Sequence, residues 1–245
     1  MGPQPHSSAE IELFTAEELC SDAGRSAVAV AAASLVHPRM TIGLGSGRAV
    51  FLLAILIGDK LGPHHGVRAC VASPDTAEYC RKANIEVVEI DSSTRLDVAF
   101  DGADEVDPNL NLIKGKGAAL VREKLLIATA DRCVIMAQAD KAVSKLGERE
   151  LLPVEVIPYA WQQTRNRVAD VLDEPALRAT KDGDIVVTSN GNYLLDGRLR
   201  SSNLAETADR LDRTLGVVDH GLFLHQASEV IFGHPDGTTS IAVRG

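Results

Sequence analysis

Short, mostly apolar runs alternate along the first part of the chain with longer stretches whose apolar positions recur at helical spacing. Over residues 15–36, Ala, Val and Leu interleave with few polar residues behind Thr15-Ala16-Glu17-Glu18, an N-cap with early acids, and this predicts one helix ending near His37-Pro38. Met40-Thr41-Ile42 reads as a short strand, followed by a glycine-rich turn and an apolar helix over 50–57. Residues 67–72 give the next strand, Ser73-Pro74-Asp75-Thr76 a cap, and the segment to Ala83 a helix, with a further strand over 84–90. Leu96, Val98, Ala99 and Phe100 form a buried strand and 110–113 a second apolar piece, after which a helix carries Arg122, Glu123 and Lys124. A last apolar run, 133–137 (CVIMA), completes the series. Strands alternating with helices at this spacing predict an α/β protein with a parallel, doubly wound sheet. Ligands in such sheets bind beyond the carboxyl ends of the strands. Arg48, Asp101, Asp104 and Lys141 all fall just past predicted strand ends, so they can share one cleft.

The pattern changes at Leu152-Pro153. From there it reads strand (154–157), helix (161–172), strand (176–179), strand (192–195), helix (204–215) and strand (217–224), the βαββαβ order of a ferredoxin-like unit. The tail over 229–243 holds two short strands around His234-Pro235-Asp236-Gly237 and is expected to return to the first sheet. The expected organisation is a lead-in over 1–14, a Rossmann-like domain over 15–151 plus 225–245, and an inserted ferredoxin-like α+β domain over 152–224.

Bulk properties narrow the function. At 245 residues the chain has room for a substantial core in one or two domains. A net charge of −9 and an aromatic content of 4% argue against a nucleic-acid binder, which needs basic surface and stacking platforms. An acidic protein still binds an anion where cations and backbone amides are focused locally. Cys20, Cys70, Cys80 and Cys133 have neither CxxC pairing nor ligand spacing with the histidines, so no metal site is expected. They are expected to be reduced and buried, as in a cytoplasmic protein. His64-His65 read as a surface turn. Residues 1–8 (MGPQPHSS) lack an apolar signal-peptide core, and no run is long enough to span a bilayer, so no membrane association is expected.

The chemistry concentrates in residues 98–123. A strand ends in the acidic turn Asp101-Gly102-Ala103-Asp104-Glu105, and a second apolar piece leads into Lys114-Gly115-Lys116-Gly117 and then a helix. Carboxylates, a lysine, a glycine turn and a helix N-terminus together suit proton transfer beside developing negative charge. Acidic turns and Lys-Gly stretches also occur as plain solvated loops. Upstream, Gly43-Leu44-Gly45-Ser46-Gly47-Arg48-Ala49 joins a strand to a helix, an arrangement that holds phosphate on backbone amides or serves packing alone. It is neither a Walker A loop nor a full dinucleotide fingerprint.

The run DGADEVD…LNLIKGKGAALVREK, with the glycine loop, AQADKAVSKLG, LPVEVIP, TSNGN and GVVDHGLF, resembles the A-type ribose-5-phosphate isomerases from about Ala16 onward. The resemblance implies a Rossmann-like domain with an inserted ferredoxin-like domain, no metal or organic cofactor, and a homodimer or homotetramer assembled through the smaller domain. It implies interconversion of ribose 5-phosphate and ribulose 5-phosphate, with no nucleic-acid or membrane partner. Carried over position by position, Glu123 is the expected general base between C2 and C1. Lys114 stabilises the enediolate with the amides of Gly115, Lys116 and Gly117. Asp101 assists ring opening, and Asp104 holds sugar hydroxyls and helps fix Lys114. Gly45, Ser46, Gly47, Arg48, Ala49, Gly102, Ala103 and Lys141 complete the substrate site.

Two departures stand out. The family's G-T-G-S-T is here Gly45-Ser46-Gly47-Arg48-Ala49, which keeps one hydroxyl, loses two and adds a guanidinium. Its K-G-G-G is here Lys114-Gly115-Lys116-Gly117, which predicts a cost of about 1 kcal/mol if Lys116 must take positive φ. Three accounts are open: Arg48 replaces the hydroxyls at the same phosphate; Arg48 and Lys116 refit the cleft for a different or more anionic sugar phosphate; or both point to solvent. Two other functions compete. A sugar-phosphate sensor of the same fold would carry a DNA-binding helix-turn-helix and would not need Glu123 with Asp101, Asp104 and Lys114. An acyl-CoA transferase-like enzyme would need a CoA site, for which no signature is present.

Overall fold

In the computed structural model, which describes residues 13–244, the apolar runs become the strands of a sheet covered on both faces. In chain order the elements are α1 (Ala16–Cys20), α2 (Ala23–Ser34), β1 (Thr41–Leu44), α3 (Arg48–Leu61), β2 (Arg68–Val71), α4 (Pro74–Lys82), β3 (Glu86–Val87) and β4 (Val98–Asp101). Two short strands, β5 (Glu105–Val106) and β6 (Leu112–Ile113), precede α5 (Leu120–Thr129) and β7 (Cys133–Gln138). The second body holds β8 (Leu152–Val156), α6 (Trp161–Val168), β9 (Leu172–Leu177), β10 (Tyr193–Leu199), α7 (Leu204–Asp212) and β11 (Val217–His220). The chain ends with β12 (Leu222–Phe223), β13 (Glu229–Gly233) and β14 (Thr239–Val243).

The seven-stranded sheet has the order β14-β13-β7-β4-β1-β2-β3 and is parallel except for the edge strand β14. Strands β1 and β4 are buried along their whole length, as expected for a sheet with helices on both sides. On one face Val28, Leu52, Leu53 and Tyr79 from α2, α3 and α4 pack on Ile42, Leu44, Phe100 and Val134. On the other, Leu120 and Ile127 of α5 pack with Ala99 and Ile135. Each such fully buried aliphatic or aromatic side chain contributes about 1.5–3 kcal/mol, so the two faces together hold the sheet rigid. Connections run from β1 outward to β2 and from β4 outward to β7, so the topological switch point lies between the carboxyl ends of β1 and β4. A crevice forms at such a point. The tail returns as expected, β13 pairing parallel to β7.

The second sheet, order β11-β8-β10-β9, is antiparallel throughout. With β8, α6, β9, β10, α7 and β11 in sequence, this is the ferredoxin-like arrangement. A third, three-stranded sheet, β12-β6-β5, lies between the two bodies.

Several elements differ from the sequence expectations. The predicted helix over 15–36 breaks at Ser21 and Asp22, because the Asp22 carboxylate accepts the Arg25 amide at 2.7 Å and starts a second helix. Thr15 with Glu18 forms a full capping box for the first. The strand over 84–90 shortens to β3. The helix from Trp161 stops at Val168, since Leu172 is wholly buried in β9. The strand over 217–224 is cut at Gly221, where the chain crosses from the antiparallel sheet into the three-stranded one. A Cβ there would meet the Lys114 carbonyl oxygen at 2.2 Å, so only glycine allows the crossing. His65 is buried and accepts the Val67 amide at 2.9 Å. Cys70, Cys80 and Cys133 are free and buried, whereas Cys20 is free and exposed. The expected lead-in over 1–14 falls mostly outside the described residues. No helix among the described residues is long and apolar enough to cross a membrane.

Candidate active site

The last position of β4 places Asp101 beneath the switch-point crevice, 2% exposed. Its Oδ1 accepts the Gly102 amide at 2.7 Å and faces the Ser46 amide at 3.4 Å. Gly45 makes this approach feasible: a Cβ at that position would lie 2.0 Å from the Asp101 carboxyl carbon. Lys114 comes from the end of β6, its amide held by the Gly221 carbonyl at 2.9 Å. Its buried Nζ lies 2.9 Å from Asp101 Oδ2 and 3.1 Å from Glu123 Oε2, and donates to the Gly102 carbonyl at 2.7 Å. Glu123 sits in the first turn of α5, near the positive end of that helix, and its Oε1 accepts the Ser46 hydroxyl at 2.6 Å. Two carboxylates thus share one ammonium in a dry pocket, with Phe223 packed 5.5 Å from that ammonium.

Burial disfavours charge on Asp101 and on Lys114, and their mutual attraction opposes it. For Asp101 burial wins, assisted by repulsion from Glu123, and pushes its carboxyl up to about 7. Burial pulls Lys114 down, but the carboxylates of Asp101 and Glu123 outweigh it and hold the ammonium above its ordinary range. Asp104 is also raised, chiefly by burial. Asp101 therefore binds its proton more tightly in the folded state than in the unfolded chain. That stabilisation is complete below 3.8 and is lost as pH rises through about 7. We expect the thermal midpoint of the wild type to fall relative to that of Asp101→Asn between pH 4 and pH 7, roughly the two ends of that window. Parallel melting curves for the two proteins across that window would contradict this assignment.

Around the triad the cleft has a volume of about 890 Å³. Ser46, Gly47, Arg48, Ala49, Gly102, Ala103, Asp104, Gly115, Lys116, Gly117 and Lys141 line it together with Lys114 and Glu123. Gly45 and Asp101 are not among the residues that line it: both are buried at the ends of β1 and β4, and Asp101 is linked to the cleft through Lys114. The helix α3 begins at Gly47 with φ of 100° and no side-chain cap, so its first amides are open to the cleft, as an anion site requires. Arg48 stands at its first position, exposed, with its guanidinium 5.0 Å from the Phe14 ring centroid. Among the described residues no carboxylate lies within ion-pair distance of Arg48.

Two expectations need correction. Asp104 makes no direct bond to Lys114 and acts on it only by Coulombic attraction; its Oδ2 accepts the Lys116 amide at 3.0 Å and fixes the glycine turn. Lys116 does not carry positive φ, which falls on Gly115 (φ 115°) and Ala118 (φ 59°), so the predicted strain is absent there. The Lys116 side chain turns out to Glu150, 2.9 Å away, and is not a spare cation for the cleft.

The cleft also contains residues that the sequence reading passed over: Phe14, Asp22, Arg25, Ser73, Asp75 and Gln138. Ser73 and Asp75 cap α4 just beyond β2, where the rule of strand carboxyl ends would have found them. Asp22 and Arg25 are brought in by the break between α1 and α2, and Gln138 Nε2 donates to Asp22 Oδ2 at 2.8 Å. The antiparallel body reaches the site as well. On either side of Glu123, Arg122 bonds the Ser189 carbonyl and Asn190 side chain, both at 2.9 Å, and Lys124 pairs with Asp219. Asp212, Asp219 and His220 cluster closely enough to hold a cation. The Lys124 ammonium already occupies that charge, and His220 Nδ1 accepts the Leu222 amide, leaving Nε2 facing Asp212.

A carboxylate and an ammonium facing a bound carbonyl, with an anion cradle one helix away, can move a proton between adjacent carbons. The family model described as ribose 5-phosphate isomerase A (phosphoriboisomerase A) matches residues 68–237. A ribose-5-phosphate isomerase A of Thermomicrobium roseum is 43% identical over 213 residues, spanning 84% of this chain and 88% of that protein. One from Synechococcus sp. (strain JA-3-3Ab) is 38% identical over 225 residues, 90% and 97% of the two chains. Among solved structures, a D-ribose-5-phosphate isomerase in complex with phospho-erythronic acid superposes with a TM-score of 0.84 at 30% identity, covering 94% of this chain and 100% of that one. The Plasmodium falciparum ribose 5-phosphate isomerase gives 0.83 at 31% identity, covering 89% and 98%. Fold and site together define an α/β aldose–ketose isomerase. The chain belongs to the ribose 5-phosphate isomerase A family.

Proposed function

We infer that this chain interconverts D-ribose 5-phosphate and D-ribulose 5-phosphate through an enediolate. The observation that carries the residue assignment is the Lys114 ammonium set between the buried carboxylates of Asp101 and Glu123, beside a cleft of about 890 Å³. In the open-chain aldose the Glu123 carboxylate removes the hydrogen on C2. The C–H electron pair forms the C1–C2 double bond and negative charge moves to O1, where Lys114 and the Gly117 amide stabilise it. A proton passes from O2 to O1, and Glu123 returns its own proton to C1, giving the ketose. Asp101, with its carboxyl near neutrality, moves a proton at the ring oxygen or anomeric hydroxyl during ring opening. Asp104 orders the glycine turn and holds sugar hydroxyls.

The phosphate rests on the open amides of α3, with Arg48 and Lys141 supplying charge. Arg48 lines the cleft and has an aromatic ring beside it to orient the guanidinium, which favours the substitute-anchor account over solvent exposure. Lys116, committed to Glu150, gives no support to a more anionic substrate. Arg48→Ser is expected to raise KM for ribose 5-phosphate roughly 10-fold or more, as for loss of one charged hydrogen bond, with little change in kcat. Improved use of ribose 5-phosphate by that variant would instead favour a refitted cleft.

Placement in the non-oxidative pentose phosphate branch, a cytoplasmic location, and a homodimer or homotetramer built through residues 152–224 belong to the same reading. A coupled isomerase assay across pentose, tetrose and hexose phosphates tests the substrate, and sedimentation tests the assembly. Inactivity on every pentose phosphate would remove the proposal.

A further inference from the structure

Arg178 lies in the antiparallel body, just beyond β9, yet two of its contacts are with the catalytic turn. Its Nε donates to Asp196 Oδ2 at 2.7 Å and its Nη2 pairs with Oδ1 of the same carboxylate, a bidentate fork anchored on β10. The remaining arm, Nη1, donates to the Gly115 carbonyl at 2.8 Å and the Lys116 carbonyl at 3.1 Å. The guanidinium is largely buried, with 14% of its side chain exposed.

These two carbonyls belong to successive peptide planes. A trans peptide points its N–H opposite to its C=O, and no cis bond is present among the described residues. In the first plane the Lys116 N–H accordingly faces away from Arg178 and meets Asp104 Oδ2. In the second the Gly117 N–H also faces away from Arg178. It has no protein acceptor among the described residues, and Gly117 lines the cleft. A Cβ on Gly117 would lie 3.2 Å from Ser46 Oγ, the hydroxyl that donates to Glu123, so this residue of the turn lies one hydroxyl away from the catalytic carboxylate.

We propose that Arg178, held by Asp196, is a positioning residue that locks the Lys116–Gly117 peptide with its N–H turned toward the developing oxyanion. The inserted antiparallel body thereby sets the electrostatics of a site on the other sheet. The proposal rests on the isomerase reading above and adds a residue to it. A donor aimed in advance needs no reorganisation as charge develops, so its effect falls on the transition state more than on substrate binding. Lysine cannot reproduce the role, because one ammonium cannot fork to a carboxylate and reach two carbonyls at once.

Arg178→Ala and Arg178→Lys are assayed beside the wild type. Complete loss of one oxyanion donor costs about 10²–10³ in kcat, and a misaimed donor at least about 10-fold; KM for ribose 5-phosphate stays within about twofold. Inhibition by phospho-erythronic acid, whose carboxylate puts negative oxygen near the place of the enediolate, weakens by the same factor as kcat/KM. Inhibition by inorganic phosphate does not change. Free guanidinium at non-denaturing concentration restores part of the rate of Arg178→Ala. If Arg178→Ala does not fold, Arg178→Lys and Asp196→Asn make the same comparison. Wild-type kcat and wild-type inhibitor affinity in the folded variants overturn the proposal, as does a lower thermal midpoint with unchanged turnover per folded molecule. A wild-type chain without isomerase activity would sink the functional reading instead.

Discussion

Glu123→Gln is expected to lower kcat for ribose 5-phosphate roughly 10²- to 10⁴-fold, the range lost with a positioned general base, while the protein stays folded. Glutamine matches the shape of glutamate and can still accept the Ser46 hydroxyl at Oε1. Lys114 loses one anionic neighbour but keeps Asp101 at 2.9 Å and the Gly102 carbonyl at 2.7 Å, so the buried ammonium is not left bare. What disappears is the ability to take a proton from carbon. The sharper readout is isotope exchange: in deuterated water the wild type incorporates solvent hydrogen at the transferred position, and the variant does so only at a rate reduced in step with kcat. Near-normal exchange by Glu123→Gln would assign the base to another group.

Lys114→Met should be worse for the molecule as a whole. Removing one member of a buried ion cluster costs about 3–5 kcal/mol, because the charges left behind are neither solvated nor paired. The lost contact with the Phe223 ring, about 0.5–1 kcal/mol, is a minor part of this. Turnover falls by a further 10²- to 10³-fold, roughly the effect of losing an oxyanion-stabilising group. The pH dependence gives the diagnostic. Asp101, near 7 with the ammonium in place, rises further without it. A raised carboxyl stabilises the fold below its unfolded value and loses that contribution as pH rises, so the variant is most stable in acid and weakest at neutral and alkaline pH. Denaturant titrations on either side of neutrality should differ more for Lys114→Met than for the wild type. Adding Asp101→Asn to Lys114→Met should recover part of the loss at neutral and alkaline pH, since it removes a carboxyl that ionises more readily in the unfolded chain than in the fold. Equal stability on both sides of neutrality would mean that the cluster is solvated after all.

Much of the framework was legible because it is written in local pattern. The β1–Gly45–α3 transition, the strand ending at Asp101 and the βαββαβ order each depend on periodicity and turn residues within one short window. The same locality explains the misses. One helix over 15–36 fits the apolar pattern, and only the Asp22 side chain, competing for a backbone amide, cuts it. The strand over 217–224 is apolar on both sides of Asp219, His220 and Gly221, and its division at Gly221 follows from where the Lys114 carbonyl lies in space.

The chain's order of residues was sufficient to fix the fold class and to bring Asp101, Lys114 and Glu123 under suspicion, because side-chain chemistry and element periodicity are properties of neighbours in sequence. Tertiary structure alone decided that Asp101 and Glu123 share the Lys114 ammonium, that Lys116 faces Glu150, that Asp104 serves the turn, and that Arg178 reaches the Gly115 carbonyl across 63 positions of sequence. These outcomes depend on the relative placement of the two sheets and on side-chain direction, and electrostatic interaction in a buried site depends on ångström-scale distance and burial, which local sequence pattern does not encode.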